Sequence, residues 1–114
     1  MSTFYLKYRD TLPILEVALL TPTSTAYDLS SARSVALHIT TPSNTVLSRY
    51  MSIYSSTGGI VRYSWSSTDW TSGVEIGQNL MEYEVLTTGS RLTFPNCSYD
   101  ILSVITDFAQ AVTT

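Results

Sequence analysis

Apolar and polar residues alternate along most of this chain in short runs, and this alternation is the feature that most restricts its fold. In the run "SVALHITT", Val35, Leu37 and Ile39 fall on one side of an extended strand, while Ala36 and His38 fall on the other. A period of two residues is typical of a β-strand with one buried face, whereas a helix repeats every three to four residues. The chain is therefore predicted to be all-β.

Seven such runs are separated by turn signals at intervals of about 8 to 12 residues, which favours a single antiparallel β-sandwich of about seven strands over residues 1–114. A closed barrel is the alternative architecture. The polar stretch 66–77 is predicted to be a loop, and residues 1–7 and 107–114 are predicted to be flanking arms. The predicted strands are "ILEVALLT" (14–21), "SVALHITT" (34–41), "TVLSRYMSIY" (45–54), "IVRYSW" (60–65), "NLMEYEVLT" (79–87), "RLTF" (91–94) and "YDILSVIT" (99–106).

The alternation also predicts which side chains form the core. On the last strand, one of two faces should be buried, either Ile101, Ser103 and Ile105 or Leu102 and Val104. Elsewhere the predicted core residues are Val61, Tyr63, Met81, Val85, Leu92 and Phe94.

Composition excludes several classes of partner. The net charge is -3 and no two of the six basic residues are adjacent, so the chain lacks the clustered cations that a nucleic-acid surface needs. Its longest apolar stretch, residues 17–20, is far too short to span a membrane. With 17 serines and 17 threonines, its surface could be buried against a partner at low desolvation cost, although threonine also suits strands and serine suits turns.

The single cysteine and the single histidine do not suggest chemistry. Because Cys97 is the single cysteine, the chain cannot form an internal disulfide. This fits a chain that folds in a reducing cytosol. A reactive thiol needs a nearby cation or histidine, and Arg91 is the nearest basic residue in the sequence. His38 lies in the middle of a strand, on the face opposite the apolar residues. We therefore expect Cys97 to be an inert packing residue and predict no catalytic site, metal site or cofactor.

Two further features have both a chemical and a structural interpretation. Glu82 and Glu84 share one strand face at a spacing that a glycosidase carboxylate pair would permit, but alternation with apolar residues is equally typical of a solvated strand face. The pair Gly58-Gly59 lacks the lysine and the helix of a phosphate-binding loop, so it is predicted to form a turn.

Aromatic residues cluster in the middle third of the chain. Exposed tryptophan and tyrosine side chains stack on sugars and anchor protein interfaces. Trp65 is predicted to be the central core residue of the sandwich, whereas Trp70, in the polar stretch, is open to either interpretation. The cluster consists of Tyr50, Tyr54, Tyr63, Trp65 and Trp70.

Four stretches, in this order and at this spacing, resemble one family of tailed-bacteriophage structural domains. They are "YRDTLPILEVAL", "YDLSSARSVALHI", "GGIVRYSWSSTDW" and "MEYEVLTTGSRLTFPNCSYDILSV", which together run from about Tyr8 to Val104. The family is the immunoglobulin-like β-sandwich found at the N-terminus of phage baseplate upper proteins and as small separate virion proteins. In such domains Pro95 ends a strand and Cys97 lies in a variable turn.

The resemblance implies a non-enzymatic virion structural protein that is made in the host bacterial cytoplasm and docks onto other virion proteins and other copies of itself. It would belong to the tail or baseplate, the neck or the capsid, with no nucleic acid or membrane as partner. The alternative is a carbohydrate-binding module that recognises host glycans through Trp70 and nearby tyrosines. The candidate protein-contact residues are Phe4, Tyr5, Leu6, Trp70 and Phe108.

Overall fold

The computed structural model describes residues 3–95 and 99–105, which form eight strands and one short helix. The all-β prediction is confirmed, with eight strands in place of about seven. In chain order the strands are β1 (Thr3–Lys7), β2 (Leu15–Ala18), β3 (Ala32–Thr40), β4 (Val46–Ser55), β5 (Ile60–Tyr63), β6 (Gly77–Thr87), β7 (Ser90–Phe94) and β8 (Asp100–Ile105), and helix α1 (Ser67–Ser72) lies between β5 and β6.

The strands form one sheet in the order β1-β8-β6-β3-β4-β5-β2, which closes nearly into a barrel with β1 and β2 at its two ends. Two long strands make this closure possible. One side of β6 pairs with β8 along its first half and with β7 along its second half. Likewise β4 pairs first with β3 and then, from Ser52 onward, with β5. Pairing is antiparallel except between β1 and β8, which run parallel. The prediction of an antiparallel sheet is therefore wrong for this one pair of strands.

The buried faces follow the alternation of the sequence. Val35, Leu37 and Ile39 are buried on β3, and on β8 the buried face consists of Leu102 and Val104. Burial of five predicted core residues outside β8 is confirmed in this way: Val61, Trp65, Met81, Val85 and Phe94.

Two predicted core residues differ from expectation. Tyr63 is only half-buried, and its hydroxyl donates a hydrogen bond to the carboxylate of Asp69, which is described below. Leu92 is 37 % exposed, so the prediction that it is a core residue is wrong. Among the described residues β7 pairs only with β6. Leu92 therefore has no second neighbouring strand to cover it.

The stretch predicted to be a loop contains helix α1, which is a correction to the sequence analysis. Its start has the Ser-x-x-Asp pattern of a capping box, with Ser66 before the helix and Asp69 in its first turn. The Asp69 carboxylate accepts a hydrogen bond from the backbone N–H of Ser66 at 2.9 Å. This satisfies a donor that the helix itself leaves unpaired, so a helix of only six residues can form.

Candidate functional site

The segment predicted to be an N-terminal arm is largely a strand. Residues 3–7 form β1, which lies beside β8 with Tyr5 opposite Ser103 and Leu6 opposite Val104. These five residues therefore pack on their own domain as an edge strand, which corrects the prediction of an arm for this part of the chain. Phe108 and the predicted arm at 107–114 lie outside the described residues, as does Cys97.

The candidate contact residues of β1 divide between the surface and the core. Tyr5 is 66 % exposed, whereas Leu6 is 2 % exposed and Phe4 is partly buried against the core. Because side chains alternate across a strand, only the Thr3, Tyr5 and Lys7 side of β1 faces outward. Leu6 is thus a core residue and not a contact residue, which corrects the sequence-based assignment.

Trp70 is also a core residue, at 7 % exposed. It lies on α1, where its indole N–H donates a hydrogen bond to the backbone carbonyl of Asp10 at 3.1 Å. Its ring meets the Tyr8 ring edge-on, with 5.2 Å between the ring centres. Trp70 therefore connects the loop after β1 to helix α1. Because its ring is buried, it is not available to stack on a sugar.

An apolar patch surrounds the outward face of β1. Leu12 is 67 % exposed and Ile105 is 44 % exposed, and both lie beside Tyr5 at a recess of about 330 Å³. We call Tyr5, Leu12, Pro13 and Ile105 the β1 patch. It is adjacent to an edge strand, whose outer backbone N–H and C=O groups are suited to pairing with another chain.

One buried carboxylate holds helix α1 against the sheet. Asp69 is fully buried and accepts hydrogen bonds from Arg49 Nε at 2.9 Å and from the Tyr63 hydroxyl at 2.8 Å. Burial, together with the hydrogen bond to this carboxylate, raises the pKa of Tyr63 to about 12. The contacts of Asp69 join α1 to β4 and β5, and through Trp70 they also fix the loop that carries Leu12.

A second polar cluster lies on the outer face of β3, β4 and β6. His38 Nδ1 is 2.7 Å from Ser48 Oγ, and His38 Nε2 is 3.2 Å from Glu84 Oε1. The other carboxylate oxygen of Glu84 pairs with Arg91 Nε at 3.1 Å. We call His38, Ser48, Glu84 and Arg91 the His38 network.

The network borders a shallow depression whose floor is Ala36. In the register of the sheet, Ala36 lies between Tyr50 of β4 and Glu84 of β6, both of which have much longer side chains. This difference in length leaves a depression of about 240 Å³ above the alanine methyl group. Tyr50, which is 78 % exposed, forms one wall.

Ser48, His38 and Glu84 are hydrogen-bonded in the order found in acyl-transfer enzymes, a set of residues that was not predicted from the sequence. The turn at 42–44 could have placed Ser48 opposite His38, since the two flank it symmetrically in a hairpin. Here, however, the serine contacts Nδ1 and the carboxylate contacts Nε2, which reverses the usual arrangement. Arg91 also balances the charge of Glu84, so the carboxylate is less able to stabilise a protonated histidine.

The described residues contain neither a cluster of metal ligands nor a membrane-spanning helix. In 3–95 and 99–105, no three His, Cys, Asp or Glu residues come together as metal ligands. Within the same residues, no helix has both the length and the apolar character needed to cross a membrane. No protein-family profile and no curated protein sequence matches the chain.

Proposed function

We propose that this protein is a non-enzymatic docking module of a tailed-bacteriophage virion, in the tail or baseplate, the neck or the capsid. It is made in the host bacterial cytoplasm, and its partners are other virion proteins and other copies of itself. The virion setting and the immunoglobulin-like assignment rest on the four sequence stretches that resemble phage baseplate domains. Docking through protein contacts is supported by the surface around β1.

The observation that carries the docking proposal is the combination of an edge strand with an exposed apolar patch. Proteins commonly protect an edge strand with proline or with several charges. Strand β1 contains no proline and one lysine, Lys7, and it borders the β1 patch. An extended segment or strand edge from another chain could therefore pair with β1 while it buries Tyr5 and Leu12.

A docking surface of this size suits repeated, individually weak contacts. One recess of about 330 Å³ provides only a small contact area for each copy. In a symmetric assembly the same contact occurs in every copy, and linked contacts raise the overall affinity far above that of one contact. A virion with many copies of the protein would meet this condition.

Deleting residues 1–6 is not a clean test of docking, because the deletion would also remove the buried Leu6 and most of a paired strand. A photo-crosslinking amino acid in place of the exposed Tyr5 leaves the fold intact. Tyr54, which is 59 % exposed on β4, provides the matched control position.

We expect the protein with the crosslinker at position 5 to form crosslinks to itself or to other virion proteins in purified particles, as identified by mass spectrometry. The protein with the crosslinker at position 54 should form few or none. Equal crosslinking from the two positions would exclude docking through β1. Absence of the protein from purified particles would exclude the virion setting.

The non-enzymatic part of the proposal is tested at Ser48. A fluorophosphonate probe labels serines that a histidine activates, and we expect no labelling here because the histidine contacts are reversed and Glu84 is paired with Arg91. Ser52, also exposed on β4, is the comparison residue. Labelling at Ser48 that His38→Gln abolishes, with Ser52 unlabelled, would contradict the proposal.

A further inference from the structure

We infer that the depression over Ala36 is a binding site for one neutral sugar ring of a glycan. This site is separate from the β1 patch, and its existence does not depend on docking. Trp70, the platform that the sequence suggested for a glycan, is buried. The depression over Ala36 combines an exposed aromatic wall, a small apolar floor and fixed polar groups.

The shape of the depression suits a flat, compact ligand. Its volume of about 240 Å³ is below the usual range of about 300–1,000 Å³ for drug-sized ligands, so it has room for a single ring. The floor and one side are apolar, from the methyl group of Ala36 and the side chain of Leu86. Tyr50 provides an aromatic face against which the C–H groups of a sugar can pack.

The charges of the depression favour a neutral ligand. Glu84 and Arg91 form an ion pair at 3.1 Å, and Arg49, which also lines the depression, is paired with the buried Asp69. An anionic ligand would meet the Glu84 carboxylate, and a cationic ligand would meet the Arg91 guanidinium. A sugar hydroxyl can donate to a carboxylate and accept from a guanidinium at the same time, so it matches both partners of the ion pair.

The polar groups are already held in place without a ligand. His38 is fixed between Ser48 and Glu84, and Glu84 is fixed between His38 and Arg91. Side chains held in this way lose little conformational freedom when a ligand binds, which favours binding by a small site. The long strands β3, β4 and β6 give the site a rigid base.

The test uses the full chain labelled with ¹⁵N and a panel of free monosaccharides: glucose, galactose, mannose, N-acetylglucosamine and rhamnose. We expect at least one of them, at millimolar concentration, to shift the backbone amide signals of Ala36, Tyr50 and Glu84. Filling the depression with Ala36→Leu should weaken this binding more than tenfold, and Tyr50→Ala should do the same. Ala18→Leu, at an exposed alanine of β2, is the matched control and should bind normally.

Each outcome is decisive for the site. Amide shifts that Ala36→Leu removes and Ala18→Leu retains would support it. An absence of shifts with every sugar, or shifts that persist in Ala36→Leu, would overturn it. Crosslinking from Tyr5 is unaffected by either result, so failure of the glycan site and failure of docking can be told apart.

Discussion

At the scale of single residues, Asp69 joins three parts of the fold, although it lies in a stretch that has the pattern of a polar loop. It is fully buried and is bonded to Arg49, to Tyr63 and to the backbone of Ser66. Its Ser-x-x-Asp signal was visible in the sequence. The arginine and tyrosine partners were not, because they come from β4 and β5 and only the folded sheet brings them to the helix.

We predict that Asp69→Asn destabilises the protein by about 3 kcal/mol, the low end of what breaking a buried pair costs, because Arg49 keeps some access to water. Urea denaturation would measure the change in the free energy of unfolding. Glu16→Gln, which breaks the exposed ion pair with Arg62, is the control and should change that free energy little. Similar small effects from both variants would show that Asp69 does not hold the helix in place.

Tyr63 makes the free energy of unfolding depend on pH in the alkaline range. Its pKa is raised to about 12 in the folded protein, from an ordinary value of 10.0. Between these values the unfolded chain loses the phenol proton while the folded protein keeps it, so unfolding is favoured as the pH rises. The stabilisation is complete below pH 10 and is lost as the pH rises toward 12.

We therefore expect the free energy of unfolding to fall between pH 10 and pH 12, partly through Tyr83, whose pKa burial also raises. In Tyr63→Phe this fall should be smaller, although the variant is less stable at neutral pH because Asp69 loses a hydrogen bond. An unchanged slope in Tyr63→Phe would contradict the assignment.

At the scale of elements, the alternation predicted every described strand except β1, but it did not predict which strands distant in sequence pair with one another. The hairpin of β3 and β4 follows from alternation around the turn at 42–44. Strand β1 also alternates, with Phe4 and Leu6 inward, but its partner β8 lies at the other end of the described chain. The Glu84 contact in the His38 network was missed for the same reason, since it depends on the pairing of β3 with β6.

Gly59, in the turn before β5, and Gly89 both have a positive φ, but they differ in the space around them. Gly59 has φ +65°, and a Cβ there would lie 2.6 Å from the carbonyl oxygen of Tyr27. Gly89 has φ +81°, but a Cβ there would meet nothing within 4 Å. The two glycines therefore share a conformation that disfavours side chains, and only Gly59 is also enclosed.

We expect Gly89→Ala to cost about 1–2 kcal/mol, the ordinary penalty for an L-residue in the left-handed region. Gly59→Ala should cost clearly more, because the new methyl group also displaces the backbone of Tyr27. Thermal unfolding of the two variants beside the parent protein would measure both effects. Equal losses would mean that the turn moves to admit the methyl group at no further cost.

At the scale of the whole molecule, β1 belongs both to the core and to the proposed docking surface. Leu6→Ala should destabilise the domain by about 2–5 kcal/mol, since it removes a fully enclosed side chain. Tyr5→Ala, one position earlier and exposed, should leave the denaturation midpoint nearly unchanged while it weakens docking. If Leu6→Ala unfolds at the same urea concentration as Tyr5→Ala, β1 is not part of the cooperative unit.

The parallel pairing of β1 with β8 also has a consequence for how the protein is made. Thr3 lies opposite Ile101, so β1 cannot pair with β8 until the residues between them have been synthesised. At roughly 5–20 residues per second, that wait is about 5–20 s, during which Phe4 and Leu6 lack the strand that pairs with β1. Another ribosome on the same mRNA carries a nascent copy of the chain, with an identical β8. Pairing within one chain therefore competes with exchange of β1 between neighbouring chains on the polysome.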